Sequence, residues 1–321
     1  MEKIAINLIS GSAIETPPCL DFKGVIGQEE VCNKIKFFLK THDEETPFPT
    51  LLFTGSHGLG KTMIASRVAS SLHRRFVEVN CGSIDTAEEF YAVLISKVLG
   101  DTPVTILMDE AHRMSKEITT VLLTLLNPSS NRINTLAFKD RDIAYDMSKI
   151  NMILATTDAY KVFKPLLDRC ERVYFNHYTN VELMKMLKFY CQDIKIDCDN
   201  DDLANACRGR GRDAYIISNH LKRYAKMVGY NAITKKGWES LKDIFGIYPM
   251  GLNRQEVELL GIIKDEQPIS CANIALKMMV NEENIESEIE VRPRELGMIR
   301  STTKGRVLTD DGKIYLKNVK V

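Results

Sequence analysis

The first half of the chain alternates short apolar runs with segments whose apolar residues recur every three to four positions. The apolar runs predict strands at residues 50–54, 76–80, 104–108 and 150–156, and a hairpin at residues 133–138 and 143–145. The intervening repeats predict amphipathic helices at residues 24–40, 61–72, 87–98 and 115–126. Continuous apolar runs are typical of strands buried on both faces of a parallel sheet. Strands that alternate with helices therefore predict an α/β fold with a parallel sheet.

The second half of the chain has a helical pattern that changes again near the C-terminus. Helical repeats cover residues 181–191, 201–207, 212–228 and 236–244, and a linker with glycine and proline covers residues 246–251. Three further helical repeats, at residues 254–264, 270–280 and 284–290, precede strand patterns at residues 298–300 and 306–309. Three helices followed by a two-stranded wing predict a winged helix.

These patterns predict a division into an arm, a large α/β domain and two smaller domains. Residues 1–22 are poorly patterned and contain two adjacent prolines, which predicts an extended arm. We expect the large α/β domain at residues 23–178, a helical lid at residues 179–247 and the winged helix at residues 248–321.

Composition narrows the class of protein. The 321 residues include 43 lysines and arginines against 43 aspartates and glutamates, so nucleic-acid binding must come from local basic patches. The hydrophobic content of 44% excludes a disordered chain. Apolar stretches stay far below the roughly 18 residues that span a membrane, and no signal-peptide pattern begins the chain. We expect a soluble, cytoplasmic protein. Its eight cysteines lack a C-x-x-C pair, which predicts reduced thiols rather than a zinc ribbon.

A glycine-bearing loop follows the first predicted strand. From Gly55 the sequence reads G-S-H-G-L-G-K-T, which fits the phosphate-binding pattern G-x-x-x-x-G-K-[ST]. Gly55, Gly58 and Gly60 allow successive backbone N–H groups to face phosphate oxygens, and the N-terminus of the next helix adds positive potential. We expect Lys61 to reach the β- and γ-phosphates of ATP and Thr62 to ligate Mg²⁺.

Two carboxylates end the third apolar run. Asp109 and Glu110 directly follow residues 104–108. We expect Asp109 to hold Mg²⁺, directly or through water, and Glu110 to orient and polarise the attacking water. Phosphoryl transfer needs mainly positioning and charge neutralisation, which this pair supplies. The nearby His57 and His112 are interpreted as loop or supporting side chains rather than metal ligands.

Several motifs together indicate a family. They are residues 25–28 (V-I-G-Q), 61–62 (K-T), 109–114 (D-E-A-H-R-M), 155–157 (A-T-T), 165–170 (P-L-L-D-R-C), 208–212 (R-G-R-G-R), 251–252 (G-L) and 303–307 (T-K-G-R-V). This set resembles AAA+ ATPases, and within them the RuvB family of hexameric motors that drive Holliday-junction branch migration. The resemblance implies an AAA+ ATPase domain, a helical lid, a C-terminal winged helix, a homo-oligomeric ring, and a role in DNA recombination and repair.

The resemblance also implies roles for individual residues. Thr157 corresponds to sensor 1, which helps to place the lytic water, and Arg169 to an arginine finger that reaches the γ-phosphate in a neighbouring subunit. Arg212 corresponds to sensor 2, which couples the lid to the nucleotide. Val25 and Ile26 correspond to the lining of the adenine pocket.

Some motif positions depart from the family pattern. Leu167 replaces an arginine in the arginine-finger motif, and residues 210–211 replace Thr-Pro before Arg212. The family's Arg-Pro near the adenine motif is absent, and the segment 127–149, where the family docks its RuvA partner, looks shorter. These departures predict a diverged relative, such as one from a phage or mobile element, with a RuvA-like partner as an open question.

The tail contains a local basic patch. Its members are Arg292, Arg294, Arg300, Lys304 and Arg306, against Glu295 alone. The preceding helix is acidic, so it would repel phosphate and is unsuited to reading bases. We therefore expect the wing to contact the DNA backbone independently of sequence, on duplex or four-way junction DNA.

Two alternatives remain open from the sequence. The motif D-R-C at residues 168–170 is also close to that of clamp-loader subunits, which would carry a helical collar at the C-terminus. The chain could also be an ATP-binding scaffold or a protein-remodelling ATPase, against which the complete set of catalytic residues and the basic wing argue.

Overall fold

The computed structural model describes residue 22 and residues 24–43, 45–98, 102–126, 133–138, 141–146 and 149–319. The chain folds as two compact units. Of the described residues, the first contains Phe22, Gly24, Val25 and those within Glu29–Gly55 and Lys61–Phe175. The second contains residues 176–319 with two short segments, Ile26–Gln28 and Ser56–Gly60. The predicted arm lies outside the described residues apart from Phe22.

The first unit is built on a parallel sheet. Its elements are α1 Glu29–Thr41, β1 Leu51–Thr54, α2 Lys61–Ser71, β2 Arg75–Asn80, α3 Ala87–Val98, β3 Val104–Asp109, α4 Lys116–Leu125, β4 Ile133–Phe138, β5 Arg141–Asp146, β6 Ile150–Thr156, α5 Lys164–Leu167 and β7 Glu171–Tyr174. Five strands form the sheet in the order β2-β3-β6-β1-β7, and every pair is parallel. The predicted α/β fold is confirmed.

The central strands are apolar because helices cover both of their faces. Residues 104–108 of β3 are all buried, as are residues 151–156 of β6. Side chains of α3 and α4 pack with one face of these strands in a single hydrophobic cluster. The predicted hairpin is also confirmed, since β4 and β5 pair antiparallel from Ile133 with Asp146 to Phe138 with Arg141.

The helical part of the second unit begins with well-defined caps. Its elements are α6 Asn180–Tyr190, β8 Lys195–Asp197, α7 Asn200–Ala206, α8 Gly211–Val228, β9 Ala232–Thr234 and α9 Lys235–Phe245. Thr179 and Glu182 form a reciprocal capping box at the start of α6. Gly229 ends α8 in the left-handed conformation that favours glycine at a helix C-terminus.

The C-terminal part of the second unit has the helices and wing of a winged helix. Its elements are α10 Arg254–Glu266, α11 Cys271–Met278, α12 Glu282–Asn284, a π-helical turn at Ile285–Ile289, α13 Val291–Glu295, β10 Ile299–Thr302, β11 Gly305–Leu308 and α14 Asp310–Asn318. The wing strands β10 and β11 pair antiparallel. A separate hydrophobic cluster fills this part of the unit, with Leu259, Leu260, Ile263, Ile274 and Ile285 fully buried.

One predicted boundary in this region is wrong. The sequence pattern placed the third helix at residues 284–290, whereas helical structure runs on through the π turn to Glu295. Arg292 and Arg294 therefore lie on α13 and not in the wing. Among the residues that the structure describes, no helix is both long and apolar enough to cross a membrane.

Candidate nucleotide-binding site

The glycine-bearing loop connects β1 to α2 and has the backbone of a phosphate cradle. Gly58 and Gly60 have φ angles of 77° and 94°, which side chains with a Cβ rarely adopt. Lys61 begins α2 and is buried, and its Nζ donates a hydrogen bond of 2.6 Å to the carbonyl oxygen of Gly55. Thr62 follows as an exposed residue in the first turn of α2. The ammonium of Lys61 thus points back to the start of the loop, where phosphate would lie.

The predicted catalytic residues follow neighbouring strands of the sheet. Asp109 ends β3, and Thr157 directly follows β6, which lies between β3 and β1. All five strands run parallel, so their carboxyl ends share one edge of the sheet. Gly55 leaves β1 at the same edge, where its N–H donates to the carbonyl oxygen of Thr156 at 3.2 Å. The structure therefore brings the start of the loop, the carboxylates and Thr157 to one edge.

Local backbone geometry orients the carboxylates. The Oδ1 of Asp109 accepts a hydrogen bond of 2.9 Å from the N–H of Glu110. Glu110 has a φ of 56°, a left-handed conformation that is uncommon for a residue with a side chain and is frequent at functional sites. The carboxylates also act on a nearby thiol: burial first, and then Asp109 and Glu110, raise the pKa of Cys81 to about 12. Cys81 is therefore a neutral, buried side chain and not a nucleophile.

The predicted arginine finger lies on the surface of the first unit. Arg169 follows α5 and is exposed, and its Nη1 donates a 2.7 Å hydrogen bond to the carbonyl oxygen of Pro165. A main-chain carbonyl holds the side chain without neutralising its charge. This placement suits a residue that acts on another copy of the chain.

The second unit holds the predicted sensor 2 residue and part of the loop. The N–H of Arg212, in the first turn of α8, donates to the carbonyl oxygen of Gly58 at 3.3 Å. A Cβ on Gly58 would come within 3.0 Å of the Cβ of Arg212, so this approach needs glycine. The hydroxyl of Tyr178 also donates to the carbonyl oxygen of Leu59 at 2.8 Å.

The predicted adenine-side residues are half-buried. Val25 donates through its N–H to the carbonyl oxygen of Phe22 at 3.0 Å. Ile26 precedes Gln28, whose side-chain amide donates to Asn176 at 2.6 Å and accepts from the N–H of Asn176 at 3.2 Å. This two-way amide contact fixes the segment of Ile26 in the second unit.

The predicted DNA-binding residues do not form one open basic patch. Arg306 on β11 pairs with Glu286 at 2.7 Å and with the fully buried Glu290 at 3.2 Å, and Arg294 pairs with Glu290 at 2.6 Å. These contacts raise the pKa of Arg306, chiefly through the hydrogen bonds to Glu290.

The other three candidates are one paired arginine and two basic residues with open charges. Arg292 is mostly buried, with Glu295 at 3.2 Å and the carbonyl oxygen of Met250 at 3.3 Å. Arg300 and Lys304 are exposed on the wing, and within the described part of the chain neither has an ion-pair partner. Two of the five candidates therefore present an open charge.

Sequence reasoning missed an ion pair that joins the two parts of the second unit. Arg208, just before α8, pairs through Nη2 with Oε1 of Glu256 on α10. Glu256 is almost completely buried, and it also completes a capping box with Asn253. The spacing of Asn253 and Glu256 signals the helix start, but nothing in the sequence indicates that Arg208 is the partner.

Metal ligands were expected only at Thr62 and Asp109. Among the described residues, no group of three or more histidine, cysteine or carboxylate side chains could hold a metal ion. The seven cysteines described there are free, as expected for reduced thiols.

Family models match two parts of the chain. Residues 51–178 match the ATPase family associated with various cellular activities (AAA), and residues 249–317 match the RuvB C-terminal winged helix domain. The chain is 24% identical over 311 residues to the Holliday junction branch migration complex subunit RuvB of Mycoplasma genitalium, which covers 95% of this chain and 99% of the relative. It is 26% identical over 299 residues to the subunit of that name from Campylobacter fetus, over 90% of this chain and 86% of the relative.

Solved structures show the same fold. The Thermotoga maritima RuvB Holliday junction branch migration motor superimposes with a TM-score of 0.75 at 21% identity, over 92% of this chain and 96% of that chain. A variant of the same protein gives a TM-score of 0.77 at 22% identity over 95% of this chain and 99% of that chain. The chain therefore has the fold of these structures, with an AAA match at residues 51–178 and a RuvB C-terminal winged-helix match at residues 249–317, and it is similar to RuvB along most of its length.

Proposed function

We propose that this protein is an ATP-driven DNA motor that drives branch migration of Holliday junctions. The observation that carries the proposal is the shared sheet edge at which the start of the loop, Asp109, Glu110 and Thr157 lie, in a chain that also has a RuvB winged helix. The clamp-loader alternative loses support because its helical collar would stand where residues 254–318 form helices α10 to α13, a two-stranded wing and α14.

The residues present fit ATP and Mg²⁺. Lys61 is buried with its ammonium aimed at the loop, and the loop glycines have the φ angles of a phosphate cradle. Thr62 and Asp109 supply the oxygen ligands that Mg²⁺ prefers. When bound, the ion would neutralise charge on the phosphates. Val25 and Ile26 line the adenine pocket, and Arg212 couples the helical lid to the bound nucleotide.

The remaining residues have the following roles in the proposed hydrolysis. Glu110 accepts a proton as a water oxygen bonds to the γ-phosphorus and the bond from that phosphorus to the ADP oxygen breaks. Thr157 helps to place the water. Arg169 acts on the site of a neighbouring copy, so each complete site needs two chains and the assembly is a closed ring, which we take to be a hexamer.

The wing supplies the contact with DNA. Arg300 and Lys304 present open charges on β10 and at the wing turn, so they contact phosphates on any sequence. The relatives are named as subunits of a branch migration complex. A RuvA-like partner that holds the junction therefore belongs to the proposal, as does action in the cytoplasm.

The proposal is tested by ATP hydrolysis with no DNA and with single-stranded, duplex and four-way junction DNA, together with ATP-dependent dissociation of a labelled four-way junction. Double-stranded and junction DNA should stimulate hydrolysis, and branch migration should dissociate the junction into two duplexes without cleaving a strand. The Lys61→Ala variant is the control for contaminating ATPases. Hydrolysis that no DNA stimulates would instead favour a protein-remodelling ATPase, and ATP binding without turnover would favour a scaffold.

A further inference from the structure

His112 lies between the two strand ends that carry the catalytic residues. Its Nδ1 is 3.0 Å from the hydroxyl oxygen of Thr156, the last residue of β6. Its Nε2 is 3.4 Å from Oε2 of Glu110 and 3.8 Å from Oδ2 of Asp158. The imidazole is only 12% exposed, so solvent does not separate these groups. One ring thus touches the end of the sensor strand on one side and two carboxylates on the other.

The groups on both sides of the ring favour one tautomer. An ionised carboxylate only accepts hydrogen bonds, so the oxygens of Glu110 and Asp158 favour an N–H at Nε2. The hydroxyl of Thr156 accepts a 3.0 Å hydrogen bond from the N–H of Asp158 and still has a proton that it can donate to an unprotonated Nδ1. The neutral imidazole with its proton on Nε2 therefore satisfies both sides of the ring.

We propose that His112 is a positioning residue, which holds the carboxylate of Glu110 through Nε2–H and ties it to the end of β6 through Thr156. This inference rests on the proposed ATP hydrolysis. A carboxylate that accepts a proton from water must be held in position, and the ring nitrogen 3.4 Å from Oε2 of Glu110 limits where that oxygen can lie. Thr156 precedes Thr157, so His112 connects the water-placing threonine with the proton-accepting carboxylate.

Two amide substitutions separate the two contacts of the ring. The amide nitrogen of Gln can lie near the position of imidazole Nε2 and donate there, whereas the amide oxygen of Asn can lie near Nδ1 and accept there. His112→Gln therefore keeps a donor for Glu110, whereas His112→Asn keeps only the side that faces Thr156. We expect His112→Asn to lose roughly tenfold or more in kcat with an unchanged KM for ATP, as for a misplaced proton acceptor. His112→Gln should stay within about threefold of the parent.

A matched pair at Thr156 tests the other side of the ring. Thr156→Ser keeps the hydroxyl and should retain parental kcat, whereas Thr156→Val loses it and should lower kcat by severalfold. The tautomer is measured directly from the ¹⁵N shifts of the His112 ring in the parent protein, where the Nε2–H form is expected. Thermal unfolding and ATP binding of each variant show whether a loss of turnover comes from misfolding.

The outcomes distinguish this inference from the proposed function. If the parent hydrolyses no ATP with any DNA, the proposed function fails, and this inference fails with it. If the parent is active, the inference alone is overturned by parental kcat in His112→Asn, by equal losses in the Gln and Asn variants, or by an Nδ1–H tautomer.

Discussion

Charged side chains have different kinds of partner at the sheet edge of the first unit and around Glu290 in the winged helix. At the sheet edge, Asp109 accepts from a main-chain N–H, and Arg169 elsewhere on this unit donates to a main-chain carbonyl. In the winged helix, the buried Glu290 forms ion pairs with both Arg294 and Arg306. Main-chain partners direct a charge and leave it available, whereas ion pairs neutralise it. The first arrangement suits chemistry and the second suits structure.

The largest expected effect is the loss of ATP hydrolysis on replacing Arg169, whose charge remains available for another group. Arg169→Ala should reduce ATP hydrolysis by about a thousandfold or more, because an arginine finger stabilises charge on the transferred phosphoryl group. Thermal stability should change little, since Arg169 is exposed and its side chain donates to a main-chain carbonyl, that of Pro165. Steady-state ATPase assays and thermal unfolding measure the two quantities.

Mixing two inactive variants tests whether Arg169 acts between chains. Arg169→Ala and Lys61→Ala rings that exchange subunits form some interfaces with an intact Lys61 opposite an intact Arg169. Partial hydrolysis should then return. A mixture that stays inactive, with subunit exchange shown independently by fluorescence transfer, would place Arg169 in its own chain's site or outside it.

The next largest effect is expected at the proton acceptor. Glu110→Gln should retain ATP binding and lose roughly a hundredfold to ten-thousandfold in kcat, because an amide does not accept the proton of water. Lys61→Ala should weaken ATP binding itself, which provides the contrast. Fluorescent-nucleotide titration and single-turnover hydrolysis separate the two variants, and parental hydrolysis by Glu110→Gln would remove Glu110 from the mechanism.

A buried carboxylate in the winged helix should affect stability instead. Glu290→Gln removes the buried charge that pairs with both Arg294 and Arg306, while Arg306 keeps Glu286, and we expect a cost of about 2–3 kcal/mol in the free energy of unfolding. Glu288→Gln is the matched control, since Glu288 lies in the π turn that ends just before Glu290 but is exposed. Denaturant unfolding of the full chain should separate the two, and equal midpoints would show that the ion pairs around Glu290 contribute little.

The sequence predicted the buried central strands and the strand-end motifs, but it did not predict the edge strand β7. The strands β3 and β6 were predictable because burial on both faces makes them largely apolar, with few polar residues in each. β7 was missed because it is an edge strand in which only Val173 is buried, so its pattern is weak. The catalytic residues follow strand ends and belong to local motifs, so their place on one edge follows from the parallel sheet.

The sequence overestimated the open basic charge of the winged helix for a physical reason. A count of basic residues treats Arg306 as an open charge, but its partner Glu290 lies 16 positions away and meets it only after folding. The π turn at Ile285–Ile289 also interrupts the regular helical repeat, and Pro293 lies just beyond it. The sequence therefore located the winged helix, yet it could not separate paired from open arginines.

The smallest expected effect distinguishes the two kinds of basic residue on the wing. Arg300→Ala with Lys304→Ala should weaken binding to all DNA sequences about equally, because both residues contact phosphates. The slope of log affinity against log salt should become shallower by up to roughly 2. Arg306→Ala should lower the stability of the winged helix and leave that slope unchanged, since its charge is already neutralised by Glu286 and Glu290. Fluorescence anisotropy with two unrelated duplexes over a range of salt concentrations measures both variants. If Arg306→Ala changed the slope as much as the double variant, phosphate would be displacing the glutamates in the complex, and the division between paired and open arginines would hold only for the free protein.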